Sequence, residues 1–178
     1  MKQLLLFNRQ KCRPLSLPLL RRMAKHILEH LRACRKYELG VHLIGSSEMT
    51  ELNITFLGHA GSTDVISFDH TDELDDGKLA RGAPLPPFPS PPITGSLHGE
   101  IFISVDDAVA QAGRFRATWQ AEIVRYLAHG ILHLEGYNDT VPDARRTMKR
   151  EENRLFMELS RRFDIDKLDR AKNGCKSK

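Results

Sequence analysis

The stretch HGILHLEGYNDT, residues 129–140, decides how this chain is read. Upstream of it Ile123, Tyr126 and Leu127 recur at helical spacing, and Ile131 and Leu134 carry the apolar stripe into the stretch itself. One helix is therefore expected, capped by Thr118 and ending near Gly136. Residues four apart share a helical face, so His129 and His133 project side by side. Gly136 can leave the helix through a left-handed residue and let Asp139 turn back beneath the same point. Two histidines at this spacing are unremarkable alone and also fit the polar edge of an ordinary helix. The glycine and the carboxylate at the right offsets favour a metal site: three ligands on one hemisphere and an open side, the plan of a catalytic zinc centre.

The spacing His-x3-His-x2-Gly-x2-Asp is similar to the extended zinc-protease motif, which makes this a zincin-like metal helix. A zinc protease places Glu directly after the first His as general base. Here that position is Gly130, which argues against peptide hydrolysis. The tasks left are those in which the ion itself activates a nucleophile or stabilises a phosphate oxygen.

Working outward, Leu4–Phe7, Glu38–Ile44, Val65–Phe68 and Gly99–Ser104 are expected strands. A first helix is capped by Ser16, with Pro18 in its first turn, and a short one starts at Ser46 or Ser47. Asp106–Ala112 predict a helix ending at Gly113, and Pro142 opens a last one with Met148, Leu155, Phe156 and Leu159 inward. His26 and His30, with Lys25, Glu29 and Arg32, read as a solvated face, and Glu135 as a solvated charge. The order is roughly β-α-β-α-β-β-α-α-α. It predicts an α/β (α+β) domain over 1–168, a mixed sheet of about four strands with helices packed on it. Within it, 69–98 holds PLPPFPSPP and is expected to be a proline-rich loop insertion; 169–178 is expected to be a disordered basic tail.

The chain has 178 residues, 40% of them hydrophobic and 28% charged, as expected of one soluble globular domain. A net charge of +4 suits a polyanionic partner but is too small to establish one. Cys12, Cys34 and Cys175 are odd in number, far apart and in no C-x-x-C arrangement, which reads as reduced thiols. No signal peptide or run of transmembrane length is evident, so no membrane and a cytoplasmic location are expected.

HGILHLEGYND closely resembles the YbeY family signature H-G-x-L-H-L-x-G-Y-D-H, with Asn138 and Asp139 in place of its last two residues. Residues 51–68, ELNITFLGHAGSTDVISF, look like the family's L-N-x-x-Y-R-x-x-D-x-P-T-D-V-L-S-F block. Residues 99–112, GEIFISVDDAVAQA, look like its G-D-I-x-I-S-x-D-x-A-x-x-Q-A block. Met148, Glu151 and Glu152 resemble its closing methionine and paired glutamates. The resemblance implies a zinc-dependent, single-strand-specific endoribonuclease of rRNA processing, notably at the 16S rRNA 3′ end, and of ribosome quality control. The implied partners are single-stranded RNA and the ribosome or its small subunit. The implied cofactor is one Zn2+, held by His129, His133 and Asp139, which are also the implied catalytic residues. The family's arginine aligns with Leu57, so phosphate contacts are expected from His59, Arg114, Arg116 or Arg125, with Arg81 as a further source. Thr63 and Asp64 are expected to brace a strand edge, Tyr137 to pack at the helix end, and His98 is a histidine that could approach the metal. The alternatives are a non-catalytic zinc-containing ribosome- or RNA-binding factor and another metal-dependent hydrolase.

Overall fold

A computed structural model describes residues 1–70 and 96–173, with side chains through residue 171. Four strands, β1 (Lys2–Asn8), β2 (Lys36–Ile44), β3 (Val65–Asp69) and β4 (Ser96–Ser104), form one mixed sheet in the order β1-β2-β4-β3. The first three in that order run parallel, and β3 closes the sheet antiparallel to β4. The helices are α1 (Leu17–His26), α2 (Ser46–Leu52), α3 (Val105–Phe115), α4 (Trp119–Leu134), α5 (Pro142–Arg162) and the short α6 (Arg170–Asn173). α1 and α2 continue as single π-helical turns, Ile27–Leu31 and Asn53–Leu57.

Alternation within the strands sorts the sheet's two faces. Leu4, Leu39, Val41, Leu43, Ile101 and Ile103 point to one side and join the main core with α1 and α4. Ile44 and Ile66 point to the other, where Met49 of α2 covers them. α4 is the central element. It packs on β3 and β4 beneath it and is flanked by α3 and α5. Its Ile123, Leu127, Ile131 and Leu132 are wholly buried, which stabilises the fold by roughly 1.5–3 kcal/mol each. A helix apolar on nearly every side must lie inside, and this leaves only one narrow edge of α4 for its histidines.

Gly130 explains how close that packing is. A β-carbon there would lie 2.6 Å from Cγ2 and 3.0 Å from Cδ1 of Ile101 in β4. The lack of the protease glutamate here thus has a structural cause: position 130 faces the sheet, and the helix can sit this near only without a side chain.

Several expectations need correction. The two strand edges around the proline-rich segment reach further than expected: Asp69 ends β3 and Ser96–His98 open β4, while 71–95 lie outside the described residues. Asp169 pairs with Leu15 in an isolated bridge and α6 follows, so 169–173 are structured; 174–178 lie outside the described residues. α3 passes through Gly113 and ends at Arg116, which takes the left-handed conformation with φ 54°. Arg32 and Glu135 are not solvated. Their side chains are buried and joined by a 2.6 Å ion pair between Arg32, at the end of the π-helical turn after α1, and Glu135, at the end of α4. The Arg32 guanidinium also lies over the Tyr137 ring.

Candidate metal centre

Thr118 caps α4 by accepting a hydrogen bond from the amide of Ala121, as expected. At the other end Gly136 adopts φ 88°. The Gly136 amide bonds the His133 carbonyl at 2.9 Å and the Tyr137 amide bonds the Leu132 carbonyl at 3.0 Å. This pair of bonds is a Schellman termination, which reverses the chain away from the helix axis. The Thr140 amide then donates to Asn138 Oδ1 at 2.7 Å, and Arg145 Nε donates to the Asp139 carbonyl at 2.8 Å. Both bonds hold the turn that brings Asp139 back toward α4.

The three expected ligands meet. Nε2 of His129 and Nε2 of His133 are 3.0 Å apart, and Asp139 Oδ2 is 3.9 Å from His129 Nε2. The three ligand atoms all lie within 4.8 Å of one another. Tetrahedral zinc with bonds near 2.0 Å requires ligand separations of about 3.3 Å, so small side-chain adjustments suffice.

The opposite ring nitrogens determine the tautomers. His133 Nδ1 is 3.1 Å from the Tyr137 carbonyl and His129 Nδ1 is 3.2 Å from Glu152 Oε2. A carbonyl and a carboxylate only accept, so each Nδ1 carries the proton and each Nε2 presents a lone pair. Two lone pairs 3.0 Å apart repel unless a cation or a proton lies between them, which is the donor chemistry of a metal site. Burial and the neighbouring His129 push the His133 pKa down, which keeps the ring neutral and ligand-competent.

Glu152 is the residue the motif did not disclose. Its side chain is 6% exposed on α5. Its Oε1 accepts from Lys149 at 2.7 Å and Arg125 at 3.2 Å, while Oε2 faces His129. Burial alone would raise its pKa; the hydrogen bonds from His129 and Lys149 bring it down to about 2. The only sequence signal was its place in the paired glutamates of the resembling block.

A cavity of about 350 Å³ opens beside His129 and Glu152. Arg125 and Lys149 stand on its wall together with Asp64, Gln111, Phe115, Glu122 and Tyr126. Of the expected phosphate contacts, Arg125 therefore shares a cavity wall with His129. Arg114 and Arg116 are exposed on either side of Phe115 in the chain, and His59 is exposed in the loop after Asn53–Leu57. Arg81 lies outside the described residues. Leu57 is 51% exposed. Asp64 does brace β3: its Oδ1 accepts from the Val65 amide and the Thr63 hydroxyl. His98 takes no part in the metal centre. It lies on β4 beside Glu100, in a second cavity with His42 and His70, and its Nδ1 contacts the His70 carbonyl. Glu100, in turn, is in hydrogen-bond range of His42 Nε2.

Among the described residues no helix is long and apolar enough to cross a membrane. The family model described as Endoribonuclease YbeY matches residues 6–160. Relatives named Endoribonuclease YbeY include one from Thermobifida fusca, 36% identical over 77% of this chain and 81% of that protein. One from Symbiobacterium thermophilum is 33% identical over 80% of this chain and 87% of that protein. One from an Anaeromyxobacter species is 36% identical over 64% of this chain, and the match spans only 50% of that longer protein. The solution structure of TM1509 from Thermotoga maritima superposes with a TM-score of 0.54, covering 92% of this chain and 95% of that one at 21% identity. That likeness concerns the fold.

Proposed function

The chain belongs to the YbeY endoribonuclease family, and from that premise we propose that it is a zinc-dependent, single-strand-specific endoribonuclease. Its substrate on this reading is rRNA, with the 16S 3′ end as target, and it serves ribosome quality control in the cytoplasm. The observation that carries the proposal is the convergence of His129 Nε2, His133 Nε2 and Asp139 Oδ2, with both Nδ1 protons held from behind.

His129, His133 and Asp139 would hold the ion, which supplies Lewis acidity toward a phosphate oxygen and the attacking oxygen. The chain's own residues do the rest. Glu152 keeps the Nδ1 proton of His129, and the Tyr137 carbonyl keeps that of His133, so both rings stay oriented. Exposed Arg114 and Arg116, with His59, meet the backbone phosphates and make binding salt-dependent. Zinc is favoured over a harder cation by the two imidazoles. The carboxylate of Asp139 makes the set more negative than the three histidines implied by the family signature, and so makes the ion a weaker Lewis acid.

The test is cleavage of single-stranded RNA by protein carrying stoichiometric zinc. Cleavage by the wild type and none by His129→Ala is expected. Intact RNA with both proteins overturns the proposal. One observation favours a second reading, a non-catalytic ribosome- or RNA-binding factor: Leu57 stands where the family's arginine is expected. Co-sedimentation with ribosomes that survives Asp139→Ala, without RNA cleavage by the wild type, selects that reading.

A further inference from the structure

The cavity beside His129 contains polar atoms that the site's chemistry leaves unused. Tyr126 is 6% exposed, yet its hydroxyl has no hydrogen-bond partner among the described residues. The carbonyl oxygen of Gln111 is likewise buried and unpartnered. Both residues line the same cavity. Buried polar groups are nearly always satisfied, and two orphans in one cavity indicate a ligand that satisfies them.

The wall's charges define that ligand. Arg125 and Lys149 are already committed to Glu152, and Arg125 also donates to Asn153 and lies over the Phe156 ring. What remains toward the cavity is acceptor-rich: Gln111 Oε1, the Tyr126 hydroxyl and the carboxylates of Asp64 and Glu122. A phosphate is repelled by such a wall, whereas a neutral group with several N–H donors fits it. Phe115 stands on the same wall and is 73% exposed, an aromatic surface no packing argument requires. An aromatic face beside hydrogen-bonding groups is how single-stranded RNA bases are held, stacked and read on their edges. The volume, about 350 Å³, lies at the small end of the range for ligand pockets, roughly 300–1,000 Å³.

We propose that this cavity is a nucleobase subsite that selects guanine next to the scissile phosphate. Guanine presents N1–H and the N2 amine side by side, two adjacent donors on one edge. Adenine, cytosine and uracil each offer one donor group there. Phe115 stacks on the base, while Gln111, Tyr126 and the flanking carboxylates accept from its edge. Exposed Arg114 and Arg116 adjoin Phe115 in the chain and suit the phosphate of the same nucleotide. The inference rests on the endoribonuclease reading and adds a base preference to it.

The test measures equilibrium binding by fluorescence anisotropy, using the full chain loaded with zinc. The probes are 2′-O-methyl hexauridylates with one position replaced by guanosine, inosine, adenosine or cytidine. Guanosine is expected to bind tightest, roughly three- to tenfold over inosine, which lacks the N2 amine; that is the worth of one hydrogen bond. Tyr126→Phe, which removes one oxygen atom, and Gln111→Leu are expected to bring the guanosine-to-inosine ratio toward one. Phe115→Ala is expected to weaken all four probes alike, by about fivefold or more, the worth of one stacked base. Equal affinity for the four probes, or a guanosine preference that survives both edge variants, overturns the proposal. Zinc-dependent cleavage by a wild type with no base preference would remove the subsite and leave the endoribonuclease reading standing.

Discussion

Gly130→Ala tests the packing that positions the metal helix. An added β-carbon would meet Ile101 Cγ2 at 2.6 Å, Cδ1 at 3.0 Å and Cγ1 at 3.2 Å. Comfortable carbon contacts lie near 3.5–4.0 Å, so α4 must lift from β4 or Ile101 must leave its rotamer. Overpacking of this kind costs about 1–3 kcal/mol, and three crowded atoms argue for the upper end. Alanine recovers about 1 kcal/mol of helix propensity over glycine. The net expectation is a loss of about 1–2 kcal/mol, equivalent to roughly 3–7 °C in Tm for a chain of this size. The assay is urea unfolding with a chelator present, so that metal binding does not contribute to stability. The decisive arm is the Ile101→Ala background. That change removes all three crowded atoms, at its own cost of about 2–5 kcal/mol. Within it, Gly130→Ala should become neutral or stabilising by about 1 kcal/mol, a coupling of about 1–3 kcal/mol. A Gly130→Ala penalty of the same size in both backgrounds refutes the reasoning.

Three further outcomes are expected. Glu152→Gln leaves an amide where His129 needs a pure acceptor, so zinc affinity should fall about 10–100-fold in competition with a chromophoric chelator; unchanged affinity would mean that Glu152 does not hold the ring. Asp139→His exchanges an anionic ligand for a neutral one, so the chain should keep its zinc, measured by elemental analysis, and cleave single-stranded RNA faster at pH 7. A slower variant that retains stoichiometric zinc counts against the charge argument. His42 is buried between Phe7 and Phe102, whose rings stack on it at 4.7 and 4.3 Å. Burial lowers its pKa from 6.5 despite the facing Glu100, and Arg9 lowers it further. A folded-state pKa below the unfolded one gives stability that is present above pH 6.5 and lost as pH falls below it. His42→Phe should therefore lose less stability between pH 7 and pH 5 than the wild type, and identical pH slopes in urea titrations would contradict this.

Much of the architecture was legible because it depends on periods within single elements. The two-residue alternation of Leu39, Val41 and Leu43 and the stripe through Ile123, Leu127 and Ile131 place each on the core side wherever those elements pack. The end of α4 was legible too, since Gly136 tolerates a left-handed φ that other residues resist. Helix α3 runs past its expected end because Gly113 is also compatible with a helix interior, and the left-handed turn comes three residues later, at Arg116. Arg32 and Glu135 depart from expectation for a different reason. Each looks solvated by composition, and only their meeting across 103 positions of the chain (135 − 32) makes burial tolerable.

The sequence by itself determined the sheet's strands, the metal helix and the face that His129 and His133 share, because spacing along one regular element sets direction without reference to any neighbour. The tertiary structure alone decided what stands around that face. It put Ile101 against Gly130, Glu152 behind His129, and two oxygens without a partner among the described residues, those of Gln111 and Tyr126, in a cavity at its side. Those meetings join residues on separate elements, and no local period encodes them; they follow from how α3, α4 and α5 pack over the sheet.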